Sequence, residues 1–125
     1  MEGATLGLRY GLDVLRQRGI ETHEIRLVGG GAKSALWRQM VADIFDCTVV
    51  CPEYSEAGAM GAALQAMWCY RNIQEGDTSF EGITQEFVSM DESTRTDPQI
   101  NSVNQYREIY QHYLELNEII TPFLN

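Results

Sequence analysis

Apolar positions along the chain switch between a helical and a strand-like period, and the switches mark out a short series of elements. Leu8, Leu12 and Leu15 share one face at helical spacing, with Arg9, Asp13 and Arg16 turned elsewhere. They predict a first helix over about Thr5 to Arg18, stopped by Gly19. Ile25 to Val28 read as a short buried strand, too apolar to be the exposed edge of a large sheet. Leu36, Trp37, Met40, Val41, Ile44 and Phe45 then recur in pairs one helical turn apart. That is an amphipathic helix whose apolar stripe faces a sheet, with Arg38, Gln39, Asp43 and Asp46 on its other side. Thr48-Val49-Val50 is a β-branched second strand, ended by Pro52. A helix between two short apolar strands is a βαβ unit, so the strands should run parallel with a right-handed crossover.

Beyond Pro52 the pattern changes character. Ser55 and Glu56 open another helix, with Ser55 as its cap, and its body from Ala57 to Ala63 is nearly all small residues. A helical glycine costs about 1 kcal/mol relative to alanine, so Gly58 and Gly61 predict close packing of another backbone, or else of a ligand. Leu64, Met67 and Trp68 continue that helix as core. Periodicity fades from Arg71, although Phe80, Ile83 and Phe87 hint at a short helix. Asp97-Pro98 starts a last amphipathic helix on Val103, Tyr106, Tyr110, Tyr113, Leu114 and Asn117, a stripe read as core, and Pro122 ends it.

Length and charge narrow the function classes. At 125 residues the chain is one domain, able to bury about two-thirds of its unfolded surface. A net charge of −9 argues against a general nucleic-acid binder, since phosphate backbones select basic surfaces. No apolar run reaches the roughly 18 residues of a membrane span, and the N-terminus lacks the basic and apolar regions of a signal peptide. Cys47, Cys51 and Cys69 are an odd number without framework spacing, which fits reduced thiols in a cytoplasmic protein.

One stretch states a chemistry. Gly29 to Gly31 follow a strand, and Ser34 can cap the helix after them. Strand, glycine turn and helix N-terminus form a phosphate-binding geometry, because bare backbone admits an anion to the first-turn N–H groups. The same geometry also serves a plain tight turn, and both readings stay open on the residues alone. A P-loop requires glycine before Lys33-Ser34, where Ala32 stands. A dinucleotide fingerprint is matched by Gly29 and Gly31, but Ser34 replaces the third glycine and Glu53 lies past the ribose-binding position. His23 and His112 are isolated, so no nucleophile has a base. Cys47 and Cys51 lack the two further ligands of a zinc site. Asp43, Asp46, Glu53 and Glu56 flank different elements and read as solvated charges, so no metal site is expected here.

Gly29 to Ile44, as Gly-Gly-Gly-Ala-Lys-Ser-Ala-Leu-Trp-Arg-Gln-Met-Val-Ala-Asp-Ile, resembles the adenosine motif of the FGGY carbohydrate kinases. Glu2 to Arg9 is similar to the helix before that motif. Pro52-Glu53 with Glu56 to Ala63 resembles the glycine-alanine helix after it, and Tyr106 to Tyr113 with Pro122-Phe123 resembles the terminal helix. The resemblance implies an α/β fold, the last part of an actin-like, ribonuclease-H-type ATPase domain, with a parallel βαβ unit and flanking helices. It divides the chain into an adenosine segment at 1–71, an acidic loop or linker at 72–101, and a C-terminal helix at 102–125 that packs on the same domain. It implies ATP with Mg2+, and transfer of the γ-phosphoryl group to a sugar, D-xylulose giving D-xylulose 5-phosphate and ADP. Another sugar or polyol of the family, or a stand-alone nucleotide-binding module, is the alternative. The family's base and magnesium ligands match nothing here, so no catalytic residue is expected and the chain alone should be inactive. Gly30 and Gly31 are implied near the α-phosphate and ribose, with Ala32, Ser34 and Ala35 on the adenine side. Family members often carry asparagine or proline at position 35, so Ala35 offers adenine only apolar or backbone contact. Unpaired sheet edges further predict a homo-oligomer.

Overall fold

The computed structural model describes residues 1–123. Helix α1 (Glu2–Arg16) leads to strand β1 (Glu24–Arg26), a single 3-10 turn (Gly30–Lys33), helix α2 (Ala35–Phe45) and strand β2 (Thr48–Pro52). Helices α3 (Ala57–Glu75) and α4 (Phe80–Phe87), strand β3 (Met90–Thr96), helix α5 (Ile100–Ile120) and a last 3-10 turn (Thr121–Phe123) complete the chain. The sheet has the order β1-β2-β3, with β1 parallel to β2 and β3 antiparallel to it. The predicted βαβ unit is therefore present as β1-α2-β2.

The core gathers around α2, which packs on β2 and β3 as well as on α1 and α5. Val41, Ala42, Ile44 and Phe45 join Leu6, Cys47, Val49 and Tyr110 in one apolar cluster. The cluster takes more of α2 than a stripe. Every residue from Val41 to Phe45 is buried, Asp43 included, against its expected solvent position. Its carboxylate accepts from Gln39 Nε2 at 2.9 Å and from the Gln99 backbone N–H at 2.7 Å. The buried charge is thus spent on fixing the start of α5, which is how a buried carboxylate becomes tolerable.

Several expectations are corrected. Leu8 and Leu15 are exposed and α1 buries Thr5 and Leu6 instead, because α5 and α2 approach it from a different side. Leu36 stands 76% exposed, while Trp37 turns inward. Strand β1 is an edge of this sheet, and Val28 beyond it is exposed. Helix α3 has Glu56, not Ser55, at its cap position, without a side-chain bond. Residues 72–101, expected as an acidic loop or linker, carry the end of α3, the hinted helix α4 and all of β3. Strand β3 escapes a periodicity reading because it is a polar edge whose pairing with β2 slips between Val49 and Cys51. Thr94 Oγ1 bridges the slip, accepting from the Cys51 N–H at 2.9 Å and donating to the Asp91 carbonyl at 2.6 Å.

Candidate nucleotide-facing site

The glycine turn is held from three directions. Gly29 sits at φ +92°, a conformation that only glycine adopts without strain. The Ala32 N–H donates back to the Gly29 carbonyl at 3.1 Å and the Ser34 N–H to the Gly31 carbonyl at 2.9 Å, which closes the turn. Ser34 Oγ then accepts from the Trp37 N–H at 3.3 Å, the cap its sequence position predicted. The Trp37 ring lies against Gly31 so closely that a Cβ there would stand 2.5 Å from it. Trp37 Nε1 donates to Thr5 Oγ1 at 3.2 Å, so α1 fixes the ring that fixes the turn.

Behind the turn, at the carboxyl ends of β1 and β2, lies an open cleft of about 410 Å³. Ligands of α/β sheets bind at that end, where the strands release their loops. Leu27, Val28, Gly29 and Ala32 form one wall, and Cys51, Pro52, Glu53 and Ser55 the other. Lys33 and Arg38 bring positive charge, and Glu53, Asp91 and Thr94 bring acceptors. Of the five residues expected on the nucleotide, Ala32 is buried in this wall, while Gly30, Gly31, Ser34 and Ala35 are exposed and outside the cleft lining. Open space surrounds Gly30, whose bare backbone a ligand could approach.

Reasoning from sequence missed Arg38, Cys51, Asp91 and Thr94. Arg38 stands one turn into α2, close enough to the cap to have been suspected. Its Nη1 donates to the Ala32 carbonyl at 2.7 Å. Asp91 and Thr94 arrive on β3 and could not be placed without that strand. Asp91 is itself engaged, accepting from the Ser93 N–H at 3.0 Å and its hydroxyl at 2.6 Å. Glu53 accepts from Ser89 Oγ at 2.5 Å.

The chemistry of this arrangement is binding. A cationic pair beside a helix N-terminus suits an anion, and the carboxylates opposite suit hydroxyl groups. Among the described residues no three His, Cys, Asp or Glu side chains are grouped so as to hold a metal ion.

Residues 1–70 match the C-terminal domain of the FGGY family of carbohydrate kinases. The chain belongs to that family. Across 91% of its length it is 46% identical to the xylulose kinase of Haemophilus influenzae, and across 98% it is 32% identical to that of Bacillus subtilis. Those spans are 22% and 25% of the two relatives, so the chain has about a quarter of their length or less. Among solved structures, a gluconate kinase of Lactobacillus acidophilus superimposes with a TM-score of 0.79 at 23% identity, over 95% of this chain and 23% of that one. A xylulose kinase of Rhodospirillum rubrum gives 0.76 at 22% identity, over 98% and 24%. These FGGY kinases share the fold described above, which establishes the expected α/β, actin-like architecture. No described helix is long and apolar enough to cross a membrane.

Proposed function

We propose that this chain is the adenosine-holding part of an ATP-dependent sugar kinase whose sugar is D-xylulose. The observation that carries the reading is 46% identity with the Haemophilus influenzae xylulose kinase over nearly the whole chain. In this reading Gly30 and Gly31 lie along the ribose and α-phosphate, and Ala32, Ser34 and Ala35 face the base. The cleft behind the turn, with Lys33 and Arg38, favours the anionic side of the nucleotide. Magnesium and the base that deprotonates the sugar belong to other parts of the kinase, because phosphoryl transfer needs several elements positioned together. The chain by itself is inactive. The setting is the cytoplasm, and the open edges of β1 and β3 support self-association of the isolated chain.

The test is a fusion of this chain behind the part of the Haemophilus relative that precedes the matched segment. ADP release should depend on D-xylulose and exceed that with L-xylulose or gluconate. Sugar-dependent turnover by the 125-residue chain alone would refute its being a part. ATP affinity of the isolated chain better than about 100 μM, roughly 5.5 kcal/mol, would instead support a self-sufficient nucleotide-binding module.

A further inference from the structure

Arg38 occupies an unusual electrostatic position. It is half-buried in the cleft wall, and among the described residues its guanidinium makes no ion pair. Arg9, Arg16, Arg26, Arg95 and Arg107, by contrast, each meet a carboxylate within 4.0 Å. The Arg38 Nε is buried without a hydrogen-bond partner. Its Nη1 donates instead to the Ala32 carbonyl at 2.7 Å, inside the glycine turn. Cys51 Sγ lies 3.8 Å from the same oxygen, on the facing strand. A half-buried cation without a carboxylate contributes little to stability. The bond to the Ala32 carbonyl instead fixes the plane of one peptide, and with it the orientation of a turn that is otherwise bare backbone.

We propose that Arg38 is the positioning residue of the glycine turn, holding the Ala32 carbonyl inward so that Gly30 to Ser34 keep the shape a nucleoside requires. This rests on the adenosine reading proposed above, and its test separates the two. Arg38→Met keeps the stem and removes the fork, while Arg38→Lys keeps the charge but offers a point donor in place of a planar one. In the 125-residue chain carrying Trp68→Phe, Trp37 fluorescence reports ligand at the turn, titrated with ATP and with adenosine to about 10 mM. Arg38→Met should weaken both probes about tenfold, the loss expected of one charge-assisted bond, with Arg38→Lys between. Amide hydrogens of Gly30 to Ser34 should exchange faster without ligand, while those of Val41 to Phe45 stay protected.

Unchanged exchange in the turn would overturn the proposal. So would a loss for ATP without one for adenosine, since Arg38 would then act as a charge alone and not by holding the turn. Failure of both variants to fold would overturn it too, because Arg38 would then serve the core. If the unsubstituted chain binds neither probe, the adenosine reading fails, and amide exchange alone decides whether Arg38 holds the turn.

Discussion

Helices α2 and α3 have similar appetites for burial and opposite fates. The 11 residues of α2 include five consecutive buried ones, and neighbours from α1, α5 and the sheet enclose it. The 19 residues of α3 are richer in small types and still mostly apolar, yet Leu64 is its one buried residue among those described. Its main neighbour is α4, with Trp68 edge-on to Phe80 at 6.1 Å and donating to the Thr78 carbonyl at 2.7 Å. Helix length and propensity therefore do not distinguish core from periphery. What distinguishes them is whether the rest of the chain supplies a facing surface.

The largest expected effect tests that contrast. Phe45→Ala removes a buried ring from the cluster and should lower stability by about 3–4 kcal/mol. Met60→Ala, at a half-exposed position of α3, should lower it by about 1 kcal/mol or less. Urea unfolding followed by far-ultraviolet circular dichroism measures both. Equal losses would mean that α3 is as enclosed in solution as α2.

Glycine substitutions sharpen the same comparison, because their sign should reverse between the two regions. Gly31→Ala drives a methyl into the Trp37 ring, which Thr5 holds in place, and should cost about 1–3 kcal/mol. Gly58→Ala and Gly61→Ala meet open space within a helix, so each should stabilise by about 0.5–1 kcal/mol. The close packing expected from that small-residue stripe is absent within the described residues. A destabilising Gly61→Ala, read from the same urea curves, would reveal a partner on the face.

The sequence made part of this legible and left part out of reach, for reasons visible in particular residues. The turn, its Ser34 cap, α2 and β2 could be read because each rests on interactions between near neighbours. Asp43 was misread because its partner Gln99 lies 56 positions away, and no local pattern announces that bond. Strand β3 was misread because its ladder depends on a threonine side chain at the slip. Of the cleft, the turn wall was foreseen. The wall supplied by Asp91 and Thr94 required the sheet order, and the nucleotide roles of Gly30, Gly31, Ala32, Ser34 and Ala35 remain part of the proposal.

The smallest effect expected at neutral pH belongs to the seam where α1, α2 and α5 meet. Arg9 Nη1 donates to the Ile44 carbonyl at 2.6 Å, and its guanidinium lies 5.4 Å from the centre of the Tyr110 ring. Burial, with the Asp13 carboxylate nearby, pushes the Tyr110 phenol well above its ordinary range. Burial and the bond to Glu2 push Tyr106 the same way. Both folded-state values are raised, so the folded chain holds these protons more tightly than the unfolded chain does. Their contribution is complete below about pH 10, the ordinary tyrosine value, and is lost as pH rises above it. Tyr110→Phe should change stability at pH 7 by about 1 kcal/mol or less, since it removes one hydroxyl and leaves the buried ring in place. The same variant should flatten the fall in urea midpoint above pH 10. An unaltered fall would place the alkaline sensitivity outside this seam, and the contrast between an enclosed α2 and an open α3 would lose its electrostatic half.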